Sequence, residues 1–397
     1  MTSAQPDMDP LPTSDPPPEI REEFGDLTKK LRGLSREAGL VIGPHAPIPP
    51  RPDIVVPMAD LLDAVIKHEV SDVFLQPGVP PAALIQGKLK NMTKDEWNAD
   101  RVLAAIYDIS DVTSISKVIR TGDADLGFGY AGRRFRVNLL LHDTGIGAVM
   151  RLLPAVPPSI EKIGIPQQML DTIKMMEGLF LVTGVTGSGK TTTLASMLKH
   201  LIETTNNLNI ITIEDPIEFK HKSKESVRVW QREVGKHTKN FESGLRAALR
   251  EAPDIILVGE LRDYETIAIA MQAAETGHLV MGTLHTDRPQ GAITRIADSF
   301  PKERQEMIRV QLSESLIGVA TQRLIPSSEG DQRVALFDFM SVDTGIANMI
   351  RKGDVFRIDL GLTAKSNPIG HLPRNEHLRQ LLAARKITKQ TYEEYSK

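Results

Sequence analysis

The 397-residue sequence contains no cysteine. That excludes disulfides, thiol nucleophiles, iron–sulfur clusters and four-cysteine zinc sites, and it fits a reducing compartment. Aromatic residues make up only 5%, which argues against the stacking platforms of a single-strand nucleic-acid groove. No apolar run approaches the roughly 18 residues that a membrane-spanning helix needs. The opening residues MTSAQPDMDP lack the charged-then-apolar pattern of a secretory signal. Neither sign of charge dominates. The 48 Lys and Arg against 51 Asp and Glu leave a net charge of −3. The whole chain is therefore not a polybasic binder of nucleic acid or membrane surfaces, although local patches stay open. The expectation is a cytoplasmic protein without a nucleic-acid partner. What is present suits a soluble globular chain: 41% hydrophobic and 25% charged residues, with a length that predicts two or three domains.

Composition shifts along the chain. Residues 1–57 hold 12 of the 26 prolines and read as an extended, Pro-rich leader. Within it Ile20, Phe24, Leu27, Leu31 and Leu34 recur at helical spacing, which predicts one amphipathic helix that docks on its own protein or on a partner. Residues 58–155 read as a first, smaller α+β domain. Its expected elements are a helix over Met58–Lys67 and strands at Val73–Leu75, Ala83–Ile85, Arg134–Leu141 and Gly147–Leu153. From Pro166 strands and helices alternate. Strands are expected at Leu179–Thr183, Asn209–Ile213, Ile255–Val258 and Leu279–Thr283, with helices at Thr191–Glu203, Phe241–Glu251 and Asp263–Glu275. This βαβ alternation predicts an α/β domain over 166–350 with a parallel sheet covered on both faces. From Pro301 onward the pattern reads as mostly helical, ending in a helical tail over 351–397.

The sharpest signal is GLFLVTGVTGSGKTTTLASML, residues 178–198. It holds G-x-x-x-x-G-K-T as Gly184, Gly189, Lys190 and Thr191 between an apolar strand and a helical run, the context this motif requires. Backbone N–H groups of Gly184, Val185, Thr186, Gly187, Ser188 and Gly189 can converge on phosphate oxygens, and the following helix N-terminus favours an anion. Lys190 would neutralise the β- and γ-phosphates, Thr191 would offer a hydroxyl to Mg²⁺, and Thr192 extends the binding turn. ATP and Mg²⁺ are therefore the expected ligands.

Hydrolysis needs carboxylates as well. IITIEDPIEF (210–219) ends a strand in Glu214, Asp215 and Glu218, and DIILVGELRD (254–263) ends another in Glu260. Both strand tips should share the edge of the sheet that carries the loop. Many phosphate-loop enzymes place an aspartate after the second strand; here Gly259 and Glu260 stand there. Spacing does not decide which glutamate activates water. Glu214 is favoured as the base and Glu260 as a magnesium holder through water. ETGHLVMGTLHTD (275–287) adds His285 at a strand end, as a candidate γ-phosphate sensor, and His278 before that strand, as a loop organiser. No carboxylate spacing supports a two-histidine metal site.

Together these segments resemble the secretion and pilus ATPase superfamily, most closely the PilT-like retraction ATPases of type IV pili. The carriers are GVTGSGKTTTLASML, TIEDPIEF, LRAALREAPDIILVGELRDYETI and AAETGHLVMGTLHT, in order, with further similarity upstream in SDVFLQPGVPPAALIQGKL and downstream in FPKERQEMIRVQLSESLIGVATQRLI. The resemblance covers roughly residues 58–350. It implies a PAS-like N-terminal domain, a RecA-like ATPase domain and a homo-hexameric ring at the cytoplasmic face of the inner membrane. The motor would act on a membrane platform protein, in twitching motility or a related type II or type IV secretion machine. It also implies that arginines of the first domain complete the site: Arg136 and Arg151 match, and Arg134 lies close by. Glu214 matches the catalytic glutamate, Glu260 the glutamate of the magnesium-binding box, and His278 and His285 the histidine box. One segment departs. Where the retraction ATPases carry Ala-Ile-Arg-Asn-Leu-Ile-Arg-Glu, this chain has Gly345 to Lys352, with Ala347 for the first arginine and Lys352 for the glutamate. The missing four-cysteine insert argues against a type II assembly ATPase. A type IV secretion or conjugation motor, or a nucleotide-binding accessory subunit with little turnover, stays open beside retraction.

Overall fold

The computed structural model describes residues 46–85, 87–330, 332–358 and 370–396. The leader helix expected over Ile20–Leu34 lies outside them. The chain divides into two compact units. One comprises residues up to Phe128 together with Val137–Leu152; the other comprises Gly129–Arg136 and everything from Leu153.

In chain order the first elements are α1 (Met58–Lys67), β1 (Asp72–Leu75), β2 (Ala82–Ile85), β3 (Lys88–Asn91), α2 (Ala99–Ile109), α3 (Val112–Thr121), β4 (Asp123–Tyr130), β5 (Arg133–His142) and β6 (Gly145–Leu153). They form a six-stranded sheet of order β3-β2-β1-β6-β5-β4. Helix α1 turns Leu61, Leu62 and Val65 inward, the 3.6-residue stripe that the sequence displays. Helices α2 and α3 start where Asn98 and Asp111 accept the amides of Arg101 and Ser114, side-chain caps that satisfy otherwise orphaned donors. The tip of the β4–β5 hairpin, residues 129–136, groups with the second unit.

The remaining elements are α4 (Ile160–Ile163), α5 (Gln167–Ile173), β7 (Gly178–Thr183), α6 (Lys190–Thr204), β8 (Leu208–Glu214), β9 (Val227–Glu233), α7 (Phe241–Ala248), β10 (Ile255–Val258), α8 (Tyr264–Glu275), β11 (Leu279–Leu284), α9 (Pro289–Asp298), α10 (Gln305–Ser315), β12 (Leu316–Pro326), β13 (Arg333–Ser341), α11 (Thr344–Lys352), α12 (Arg374–Ala383) and α13 (Lys389–Tyr395). Seven strands make one sheet, in the order β13-β12-β7-β11-β10-β8-β9. Every neighbouring pair is parallel except β12 with β13. Two apolar clusters lie on the sheet. One gathers Ile211, Ile213, Leu245, Ile267 and Ile293, and the other gathers Phe180, Val182, Met197, Leu198 and Ile210. All residues of β7, β10 and β11 are buried, as continuous apolar runs in a doubly covered parallel sheet must be.

The α/β expectation holds, and the strands named from Leu179 to Thr283 stand within a residue of their expected places. The mostly helical reading after Pro301 is incomplete. Residues 316–326 and 333–341 form two long strands paired antiparallel over nine residues. Strand β12 follows α10 directly, so the helical period of residues 305–315 masks the change to period two. Strand β9 and helices α2 and α3 are also additions to the sequence reading. Among the described residues no helix is long and apolar enough to cross a membrane.

Candidate nucleotide-binding site

Residues 184–189 leave the buried end of β7 and run into α6. Two glycines are required by geometry. Gly184 has φ +143°, and a Cβ there would sit 2.4 Å from the Gln322 carbonyl oxygen and 2.6 Å from Ser188 Oγ. Gly189 has φ +87° and would bring its Cβ to 2.9 Å from Gln322 Nε2. Neither conformation nor space tolerates a side chain. Val185, Thr186 and Gly187 are exposed at the tip, and Ser188 is buried with a hydroxyl that has no partner among the described residues. An open cleft of about 1020 Å³ borders the tip, lined by Val185, Thr186, Arg262, His285 and Arg295 among others.

Lys190 is 8% exposed at the start of α6. Its Nζ donates to the Gly184 and Val185 carbonyl oxygens at 2.8 and 3.0 Å. Burial holds this ammonium below the usual lysine value, while Glu260 pulls it back up. A buried cation turned onto its own loop is a site for an anion, because desolvation is relieved by opposite charge. Thr191 is exposed, and Thr192 is half-buried behind it.

The acids stand on strand tips at the same edge of the sheet, with β11 between β7 and β10 and with β8 one place farther. Gly259 N donates to Ile213 O at 2.8 Å, so the ends of β8 and β10 lie side by side. Glu260 Oε1 is 3.2 Å from His285 Nε2, and its Oε2 is 2.8 Å from Arg262 Nη2. His285 Nδ1 is 3.5 Å from Lys190 Nζ. Lysine can only donate, so the contact fits the tautomer with hydrogen on Nε2, directed at Glu260. The structure thus brings Lys190, His285 and Glu260 into one chain of contacts.

Glu214 ends β8 and is 8% exposed. It accepts Thr212 Oγ1 at 2.6 Å and Gln231 Nε2 at 3.0 Å, both on Oε1. Burial pushes this carboxyl above the ordinary range, against the two hydrogen bonds. Such a carboxylate suits a proton acceptor. Asp215, the next residue, is exposed, and Glu218 is half-buried.

The expected arginines separate. Arg151, on β6, donates Nε to Asp72 at 2.8 Å within the first unit. Arg136 is exposed on β5. Arg134 donates through Nε and Nη2 to the Ile217 carbonyl and pairs with buried Glu233 at 2.9 Å, contacts of the second unit. His278 Nδ1 lies 2.8 Å from Ala273 O, so it closes the α8–β11 turn, the organising role its position suggests. Sequence reasoning missed Thr212, Gln231, Arg262 and Gln322. The alternation of VRVWQRE is a strand signal that could have found β9, though not its pairing with β8.

The family model described as type II/IV secretion system protein matches residues 59–354. The chain belongs to this secretion family. The type IV pilus retraction ATPase PilT of Pseudomonas aeruginosa is 44% identical to this secretion-family chain over 299 residues, 75% of this chain and 86% of that protein. A crystal structure of the pilus retraction motor PilT with bound ADP matches with a TM-score of 0.76 at 39% identity, covering 84% of this chain and 95% of the other. The Legionella pneumophila ATPase DotB matches with a TM-score of 0.78 at 29% identity, covering 87% and 97%. The shared fold is an α/β ATPase architecture preceded by a smaller domain.

Proposed function

We propose that this secretion-family ATPase hydrolyses ATP to ADP and phosphate as the motor of a type IV pilus, in retraction and twitching motility. One observation carries the chemistry: a buried lysine folded onto a glycine loop, in contact through His285 with a strand-tip glutamate. The loop amides and Lys190 would bind the phosphates. Glu214 would accept a proton from the attacking water as its oxygen bonds to the γ-phosphorus. The bond from that phosphorus to the bridging oxygen breaks, and ADP leaves with the bridging electrons.

The residues present fit a magnesium ion. The Thr191 hydroxyl is exposed beside the loop, and Glu260 offers a half-buried carboxylate already near Lys190. These two would hold the ion, Glu260 through water. When bound, Mg²⁺ neutralises phosphate charge as a Lewis acid. Arg262, paired with Glu260, would adjust as that carboxylate changes partner. Arg136 and Arg151 would supply guanidinium groups for transition-state charge, the role the family pattern gives them.

The working assembly would be a homo-hexamer, cytoplasmic and peripheral at the inner membrane, acting on a platform protein. Support for this is family membership. A second reading, a type IV secretion or conjugation motor, is favoured by the DotB likeness and by Ala347 and Lys352. Steady phosphate release, measured alongside mass in solution with and without nucleotide, tests the proposal. A hexamer that turns over ATP and loses turnover in Lys190→Ala is expected. A wild-type hexamer that binds ATP but releases no phosphate would leave only an accessory nucleotide-binding role.

A further inference from the structure

Strand β12, absent from the sequence reading, lies against the phosphate loop. It runs parallel to β7 with Thr321 opposite Thr183, so Gln322 falls beside Gly184, where the chain leaves the sheet. The pair is pinned by a buried hydroxyl contact, Thr183 Oγ1 to Thr321 Oγ1 at 2.8 Å. Gln322 is 2% exposed. Its side chain meets the loop at the far end. Thr193 Oγ1, in the first turn of α6 and fully buried, donates to Gln322 Oε1 at 2.7 Å. Its Nε2 stands 2.9 Å from the place a Cβ would take on Gly189, and its own carbonyl oxygen stands 2.4 Å from that place on Gly184.

We propose that Gln322 is a positioning residue for the nucleotide: one side chain and its carbonyl brace both ends of the 184–189 loop, so that the loop amides face the phosphates before ATP arrives. This deepens the ATP-binding reading and rests on it. The physical argument is preorganisation. A glycine-rich loop loses more backbone entropy on ordering than any other segment. If β12 and α6 hold it in advance, that cost falls on folding rather than on binding. The side-chain amide turns its donor end toward Gly189 while Thr193 satisfies its acceptor end. Gln322 touches no reacting atom in this account. Its effect should therefore appear in nucleotide affinity far more than in turnover.

The test is a double-mutant cycle on the full chain with Gln322→Leu, Thr193→Val and both together. The readouts are the dissociation constant of a fluorescent ATP analogue, KM and kcat for ATP, and Tm without nucleotide. Each single variant should weaken binding and raise KM about tenfold, with kcat within about threefold. The double variant should be no weaker than the worse single, because both remove the same brace. Thr193→Ser should restore affinity, since it keeps the hydroxyl. If Gln322→Leu does not fold, Gln322→Glu and the two Thr193 variants carry the test: Gln322→Glu keeps the acceptor, loses the donor and should lose part of the affinity. Unchanged affinity in a folded Gln322→Leu or Thr193→Val would overturn the proposal. So would additive losses, or a fall in kcat at constant KM. Lys190→Ala, measured beside them, separates the two claims. If it binds the analogue as tightly as the parent, the nucleotide site itself is misplaced; if it loses binding while the brace variants do not, only the role of Gln322 fails.

Discussion

Removing a single hydroxyl should move the pH dependence of hydrolysis without touching the phosphate loop. Thr212 is fully buried, and its hydroxyl donates to Glu214 Oε1 at 2.6 Å. Thr212→Val keeps the shape and deletes that donor. Burial already holds the Glu214 carboxyl above its ordinary value of 4.5, and the Thr212 bond opposes the shift by favouring the ionised form. A hydrogen bond to a charged group contributes about 1.5–3 kcal/mol, and about 1.4 kcal/mol corresponds to one pKa unit. The second donor, Gln231, remains on the same oxygen, so the variant's carboxyl should rise further without losing all of its hydrogen bonding. If Glu214 takes the proton from water, only its ionised form works. The acidic limb of kcat/KM for ATP should then move to higher pH, with the alkaline plateau nearly unchanged. Stability must follow the same sign. A carboxyl raised on folding contributes stability that is complete below the unfolded value and is lost as pH rises through the folded one. The Tm deficit of Thr212→Val should therefore be larger at pH 8 than at pH 5. A pH–rate profile of parent and variant, with Tm at both pH values, checks this. An unmoved limb with a uniform drop in rate would refute the assignment of Glu214 as base.

Three further outcomes are expected. Gly184→Ala should abolish detectable binding of a fluorescent ATP analogue and lower stability by about 2 kcal/mol or more, because the new methyl meets backbone at 2.4 Å in a left-handed conformation; titration and urea unfolding read both. His377, buried and accepting the Phe337 amide at 2.9 Å, is held down to about 4 by burial. Its stability contribution is complete above the unfolded value of 6.5 and is lost as pH falls toward 4, up to about 3 kcal/mol. His377→Gln should flatten urea stability between pH 6.5 and 4.5. Glu260→Gln should raise the magnesium concentration needed for half-maximal phosphate release at least tenfold, read by magnesium titration at saturating ATP.

The loop, the strand tips and their order were legible because each rests on a local pattern. Four buried strands read as apolar runs between helical periods, and the glycines of 184–189 declare a backbone that only they can adopt. Glu214, Glu260 and His285 could be named because each ends such a run. What spacing could not give was the identity of their neighbours. Gln231 reaches Glu214 from β9, an edge strand 17 positions on; its alternation marks a strand but does not say which strand it pairs with. Gln322 reaches the loop from β12, which follows α10 without a break, so no turn residues separate the two periods. Arg262 pairs with Glu260 two residues away, and a tight bend after β10, not a periodicity, puts them together. The contacts of Arg134 with Ile217 and Glu233 cross more than 80 positions, and no local pattern carries such a separation.

The central claim is that the 184–191 turn grips a triphosphate and Glu214 helps to cut it. A single-turnover assay with protein in excess over γ-labelled ATP tests it most directly, comparing the parent with Glu214→Gln. The account predicts that the variant binds ATP within about threefold of the parent yet cleaves it about 10²–10⁴ times more slowly. Cleavage by Glu214→Gln at the parent's rate, with ATP bound equally well, would contradict it.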